Sequence, residues 1–120
     1  MKYICIQMVV SMMMILLLSS PVLGADEDAY ENDNSYDQAR KIIINLETPQ
    51  LHSFHEATDQ DWIKFYGFKD RTYAIKAVNT GTCDLYLELY DANNMSKPIK
   101  VQDNPLDPFA DEILSTGNVL

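Results

Sequence analysis

The chain has 120 residues, 47% of them hydrophobic and 22% charged, with 9 Lys and Arg against 18 Asp and Glu. That length allows one small domain, and the composition excludes collagen-like, low-complexity and multidomain organisations. A formal net charge of -9 without a Lys or Arg cluster excludes a phosphate-binding nucleic-acid surface, so a charged partner must be a cation or a basic surface.

Lys2 gives a short positive start. Residues 3–18 then carry no formal charge and include Met12, Met13, Met14, Ile15, Leu16, Leu17 and Leu18, before Ser19, Ser20 and Pro21 break the run. This predicts a secretory signal peptide over residues 1–24, cleaved after Gly24, because Val22, Leu23 and Gly24 suit a signal peptidase. An uncleaved anchor is the competing reading, but about 16 apolar residues fall short of the roughly 20 that span a bilayer. The mature chain, residues 25–120, is then extracellular or periplasmic, more acidic still, and free of the membrane once the leader is removed. Cys5 leaves with the leader. Cys83 remains alone, either as a small buried hydrophobe or as an intermolecular bridge in an oxidising compartment.

An acidic arm is assigned to residues 25–40. It holds Asp26, Glu27, Asp28, Glu31, Asp33 and Asp37, and self-repulsion keeps it extended until something neutralises it. Ser35 could cap a single helical turn. Residues 41–120 form the folded module. Ile42, Ile44 and Leu46 alternate with Ile43 and Asn45, a period of two that suits a strand with one drier face, and Thr48 and Pro49 end that run. Residues 51–54 make a second short run and residues 56–60 a turn.

Trp62, Ile63, Lys64, Phe65 and Tyr66, bounded by Asp61 and Gly67, read as a strand. In residues 72–78, Tyr73, Ile75 and Ala77 share one face. Leu85, Leu87 and Leu89 alternating with Tyr86, Glu88 and Tyr90 give the clearest strand of the chain. Asp91, Ala92, Asn93 and Asn94 close a hairpin toward Ile99 and Val101, and Asp103, Asn104 and Pro105 break the pattern. Short strands with turns between them, and no room for βαβ crossovers, predict an all-β fold: an antiparallel β-sandwich.

The ordered pieces Glu31-Asn32-Asp33-Asn34-Ser35, His52-Ser53-Phe54, Asp59-Gln60-Asp61-Trp62-Ile63-Lys64-Phe65, Thr72-Tyr73-Ala74-Ile75, Cys83 to Asp91 and Asp103-Asn104 resemble the bacterial pre-peptidase C-terminal domain family across residues 30–104. The most specific are the D-x-D-W-x-x-F run and the D-x-x-L-E-L-Y-D run. The resemblance implies a jelly-roll-like sandwich that serves secreted hydrolases as a noncatalytic accessory module, and in some relatives binds calcium or substrate. Family members read E-P-N-D-S where this chain has Asp33-Asn34. They also continue into a closing strand with a G-x-Y pattern, which is expected to be missing here and to leave an open sheet edge.

Calcium takes six to eight hard oxygen ligands, and Glu31, Asp33 and Asn34 of the arm, docked near Asp61, could supply several. The alternative is a solvated acidic arm with Asp61 capping a turn. No catalytic residues are assigned. Asp59 and Asp61 lie two apart with nothing to tune them as acid and base, and a drawn triad of Ser53, His55 and Asp59 lacks a nucleophile elbow. His52 and His55, on opposite faces of an extended segment, read as poor joint metal ligands and as surface or cross-strand residues. Tyr66, Tyr86 and Tyr90 are candidates for a ligand-binding face, with cross-strand packing as the other use. The function expected is contact with a protein or polysaccharide surface, or with a neighbouring domain of an exported hydrolase. A fragment or proregion-like regulator of a secreted peptidase is the alternative.

Overall fold

The computed structural model describes residues 2–10, 26–45, 48–56 and 58–117, the first of these segments by its backbone. The apolar run from Met12 to Leu18 and the cleavage position at Gly24 lie outside the described residues. The elements are β1 (Lys2–Val10), a 3-10 turn (Tyr36–Gln38), β2 (Arg40–Lys41), β3 (Gln60–Gly67), β4 (Ala74–Ala77), β5 (Leu85–Asp91), β6 (Lys100–Asp103) and β7 (Glu112–Ser115). Five strands form one sheet in the order β2-β3-β1-β5-β6, and β4 pairs with β7 in a second. The fold is all-β. Every described pairing between strands is antiparallel except β2 with β3, which is parallel.

Period-two patterning explains which face is dry. On β3 the residues Ile63 and Phe65 are buried, and on β5 Leu85, Leu87 and Leu89 are buried, while their neighbours Lys64, Tyr66, Tyr86, Glu88 and Tyr90 are half-exposed. Ile63, Phe65, Leu87 and Leu89 meet Leu114 of β7 in one core, against which Ile42, Ile44, Tyr73, Ile75 and Ala77 pack. The two sheets therefore share a single apolar interior. Leu87 is 0% exposed at its centre. Leu87→Ala is expected to cost roughly 2–5 kcal/mol, the range for emptying such a site, measurable as a lower urea midpoint with an unchanged slope.

Two predicted elements differ, and one strand was not predicted. The described residues of the first predicted strand, 42–45, form no ladder; the short strand β2 lies just before them at Arg40–Lys41. Ile42 still donates its N–H to Lys64 O at 2.9 Å, but the chain then turns through Asn45 at φ 61, leaving Ile42 and Ile44 inward and Ile43 exposed. Residues 51–54 join no strand, because carboxylates substitute for a ladder partner: Ser53 N donates to Asp28 Oδ2 at 2.7 Å and His55 N to Asp59 Oδ2 at 2.9 Å. Sequence pattern placed no strand beyond Asp103, yet β7 lies at Glu112–Ser115 with Glu112 and Leu114 buried.

β7 is fastened by polar contacts. Tyr73 N donates to Thr116 Oγ1 and Thr116 N to Tyr73 O, both at 2.9 Å, while Gln102 Nε2 donates to the buried Glu112 Oε2 at 2.9 Å. Thr116→Val is expected to cost about 1–3 kcal/mol by leaving the Tyr73 N–H unpaired, and Thr116→Ser to cost far less. Thermal melting of the two variants distinguishes the hydroxyl from the methyl.

The first residues of the predicted leader, Lys2–Val10, stand as β1 between β3 and β5. They pair with both neighbours along their length. Among the described residues no helix is long and apolar enough to cross a membrane.

Candidate metal centre

At the start of β3 the inward-facing alternation reaches a charged residue. Asp61 precedes Ile63 and Phe65 on the same face and is 0% exposed, and Asp59, just outside the strand, is also buried. The acidic arm folds back onto this point. Trp62 N donates to Asp33 O at 3.0 Å, and Gln60 N donates to Asn34 Oδ1 at 3.0 Å. Arg40 holds the turn behind them, its Nε donating to Tyr30 O and its Nη2 to Glu31 O at 2.9 Å. The 48–56 segment closes the other side: the Tyr30 ring stacks on His52 with centroids 4.8 Å apart, and Ser53 Oγ donates to Asp26 O at 2.9 Å.

The result is a chain of three overlapping triads. Asp28, His52 and Asp61 form one, Glu31, Asp33 and Asp61 the second, and Glu31, His55 and Asp59 the third, each with its ligand atoms within 4.8 Å of one another. His52 Nδ1 lies 3.4 Å from Asp61 Oδ1, 3.7 Å from Asp33 Oδ2 and 3.8 Å from Asp28 Oδ2. His55 Nδ1 lies 2.8 Å from Asp59 Oδ2 and 3.1 Å from Glu31 Oε1. Both carboxylate oxygens of Glu31, Asp33 and Asp61 are buried without a hydrogen-bond partner, as are Asp59 Oδ1 and the two histidine Nδ1 atoms. Buried ionised oxygens left unpaired are costly. Something must neutralise them.

Burial pushes the Asp33 carboxyl up to about 6, with repulsion from Asp61 next in size. Glu31 is raised by burial first and by Asp59 second. Asp61 is raised by burial, against the pull of His52. Burial opposes the charged ring of His52, but Asp61, with Asp28 and Asp33, more than offsets it and raises the group. For His55, Asp59 and Glu31 likewise outweigh burial. Five carboxylates share the space with two rings, so even two imidazolium ions leave an excess of negative charge.

The all-oxygen triad suits a hard divalent cation. Calcium holds its oxygens at 2.3–2.6 Å, so ligands of one shell lie within roughly 5 Å of each other. The flanking triads, each with one imidazole, offer the mixed N/O set that zinc or manganese also accepts.

Of the residues picked from sequence, Glu31, Asp33 and Asp61 come together. Asn34 is exposed, and its Oδ1 accepts a hydrogen bond from Gln60 N. Sequence reading missed Asp28, Asp59, His52 and His55. The expectation that the histidines are surface or cross-strand residues is corrected, since neither lies in a strand and their side chains are largely buried against carboxylates; they do fall in separate triads. The H-x-x-H spacing beside D-x-D was the available signal.

The three tyrosines stand on the outward face of the five-stranded sheet. Tyr90 packs on Trp62 at 5.4 Å between centroids and donates its hydroxyl to Glu88 Oε2 at 2.8 Å, within a satellite cluster with Ala39, Ala92 and Met95. Tyr86 donates to Glu88 Oε1 at 3.4 Å, and Lys41 Nζ lies 5.5 Å from the Tyr66 ring centre. Tyr90→Ala is expected to lose the aromatic pair, about 0.5–1.5 kcal/mol beyond its area, whereas Tyr86→Ala should scarcely move the melting temperature. Behind the acid cluster, a cleft of about 690 Å³ lined by Ile42, Ile44, Phe54, Ile63 and Ile75 also reaches His52 and Asp61.

Comparison with protein-family models, with curated proteins and with solved structures finds no match to this chain.

Proposed function

We propose that the chain is an exported, noncatalytic accessory module of the kind attached to secreted hydrolases, and that calcium held by Glu31, Asp33 and Asp61 clamps its acidic arm onto the sheet. The observation that carries the cation is the set of buried oxygens without a hydrogen-bond partner that converge from the arm and from the start of β3. The leader-like apolar run supports export, and the resemblance of residues 30–104 to pre-peptidase C-terminal domains supports the accessory role. Both histidine rings face carboxylates, an arrangement of ligands and counter-ions. The module would act by contact with a protein or polysaccharide surface or a neighbouring domain.

Limited proteolysis of the chain recovered from an exporting host tests this. Calcium is expected to protect residues 26–40 from cleavage and EDTA to expose them, in a product whose mass begins at residue 25. Equal cleavage with and without calcium would refute the clamp, and a product retaining residue 1 would refute the processed, exported form. Zinc is the second reading, favoured by the two imidazoles; protection by zinc but not by calcium would establish it.

A further inference from the structure

β1 is antiparallel to both of its neighbours, in register with β3 at eight positions, from Lys2 opposite Gly67 to Val9 opposite Gln60, and with β5 at seven, from Ile4 opposite Asp91 to Val10 opposite Leu85. β3 and β5 are consequently parallel to each other and two strand spacings apart, roughly 9.5 Å, too far to hydrogen-bond directly. Vacating the position between them would expose two edges at once, each a row of unpaired N–H and C=O groups. The walls are bridged independently of β1. On the inward side Ile63 and Phe65 share a core with Leu87 and Leu89, and on the outward side the Trp62 and Tyr90 rings meet.

The segment that fills the position is also the start of the apolar leader. We propose that the place between β3 and β5 is a groove that accepts a strand, and that in the exported chain, freed of its leader, it takes an extended segment of a partner protein with aliphatic residues at alternate positions. This rests on the export reading above. The register defines the chemistry of the occupant. Four alternate positions, held here by Ile4, Ile6, Met8 and Val10, stand opposite Phe65 and Asp91, then Ile63 and Leu89, then Asp61 and Leu87, then Leu85. The positions between stand opposite Lys64, Glu88, Trp62 and Tyr90, a mixed surface that tolerates polar residues. Main-chain hydrogen bonds to two edges supply affinity, and the alternate apolar positions supply selectivity.

The test uses the full chain with a site-specific protease sequence inserted between Ser19 and Ser20, refolded and then nicked. A fluorescent peptide of the sequence of residues 2–10 is expected to exchange into the nicked protein at 1:1 stoichiometry. The same peptide carrying Ile4→Asp and Ile6→Asp should bind at least about 100-fold more weakly, since the register sets the two charges opposite the core residues Phe65, Ile63 and Leu89. An unrelated peptide with aliphatic residues at the same alternate positions should compete. If loss of the peptide unfolds the protein and its return refolds it, the groove is equally supported. Failure to rebind, indifference to the Asp substitutions, or copies that pair edge to edge and exclude the peptide would overturn the proposal. The N-terminus of the exported chain is read separately: one that retains residue 1 removes the export reading and leaves the peptide result standing as a property of the groove.

Discussion

Replacing Asp33 by Asn is expected to raise the melting temperature of the cation-free protein at pH 7.5 and to abolish the stabilisation that calcium gives the wild type. Asp33 is 0% exposed, both its carboxylate oxygens lack a hydrogen-bond partner, and Asp61 lies beside it. Relief of one crowded, buried charge is worth about 1–2 kcal/mol, or roughly 5–15 °C for a domain of this size. The bound ion acts in the opposite direction. At a concentration 100 times Kd a ligand adds about 2.7 kcal/mol, roughly 10–20 °C, to the wild type. Opposite signs from one substitution separate a cation site from a merely tolerated acidic cluster. Scanning calorimetry of both proteins with EDTA and with excess calcium reads both effects. A variant that melts lower in EDTA and still gains from calcium would be against the assignment.

The second large effect is a reversal of pH dependence. Without cation, Glu31, Asp33 and Asp61 hold protons more tightly folded than unfolded, since their folded pKa values are raised. Their contribution to stability is complete below the usual carboxylate value of about 4 and is lost as pH rises, through about 6 for Asp33. The raised values of His52 and His55 act with the same sign: the stability they give is present below 6.5 and disappears as pH climbs past their folded values. The cation-free melting temperature should therefore fall between pH 4 and pH 8. With saturating calcium it should rise over the same interval, because protons and the ion compete for the same oxygens. Melting curves at half-unit steps with and without calcium check this, and parallel curves would contradict it.

The strands that carry the core were legible because each alternates over enough residues: Leu85, Leu87 and Leu89 against Tyr86, Glu88 and Tyr90 leave no other reading. The residues Glu31, Asp33 and Asp61 were legible for a different reason, as carboxylates crowded in an acidic arm and in a D-x-D run. What sequence could not show is what folding brings together. Asp28 is 24 residues from His52 and 33 from Asp61 along the chain, and only the return of the arm makes them one triad. His52 and His55 look like opposite faces of a strand, but the segment is held by carboxylates instead of a ladder, and each ring turns to its own triad. β7 contributes a single core residue, Leu114, too little for a periodic signal. The N-terminal run reads by composition as a leader, and that reading gives no sign that Lys2–Val10 pairs with β3 and β5.

Isothermal titration of calcium into the EDTA-stripped, dialysed protein at pH 7.5 measures directly whether the acid cluster is a cation site. Saturable binding that EDTA reverses, and that is lost in both Asp33→Asn and Asp61→Asn, is the result expected. A flat titration for the folded wild type, with zinc as silent as calcium, would contradict it.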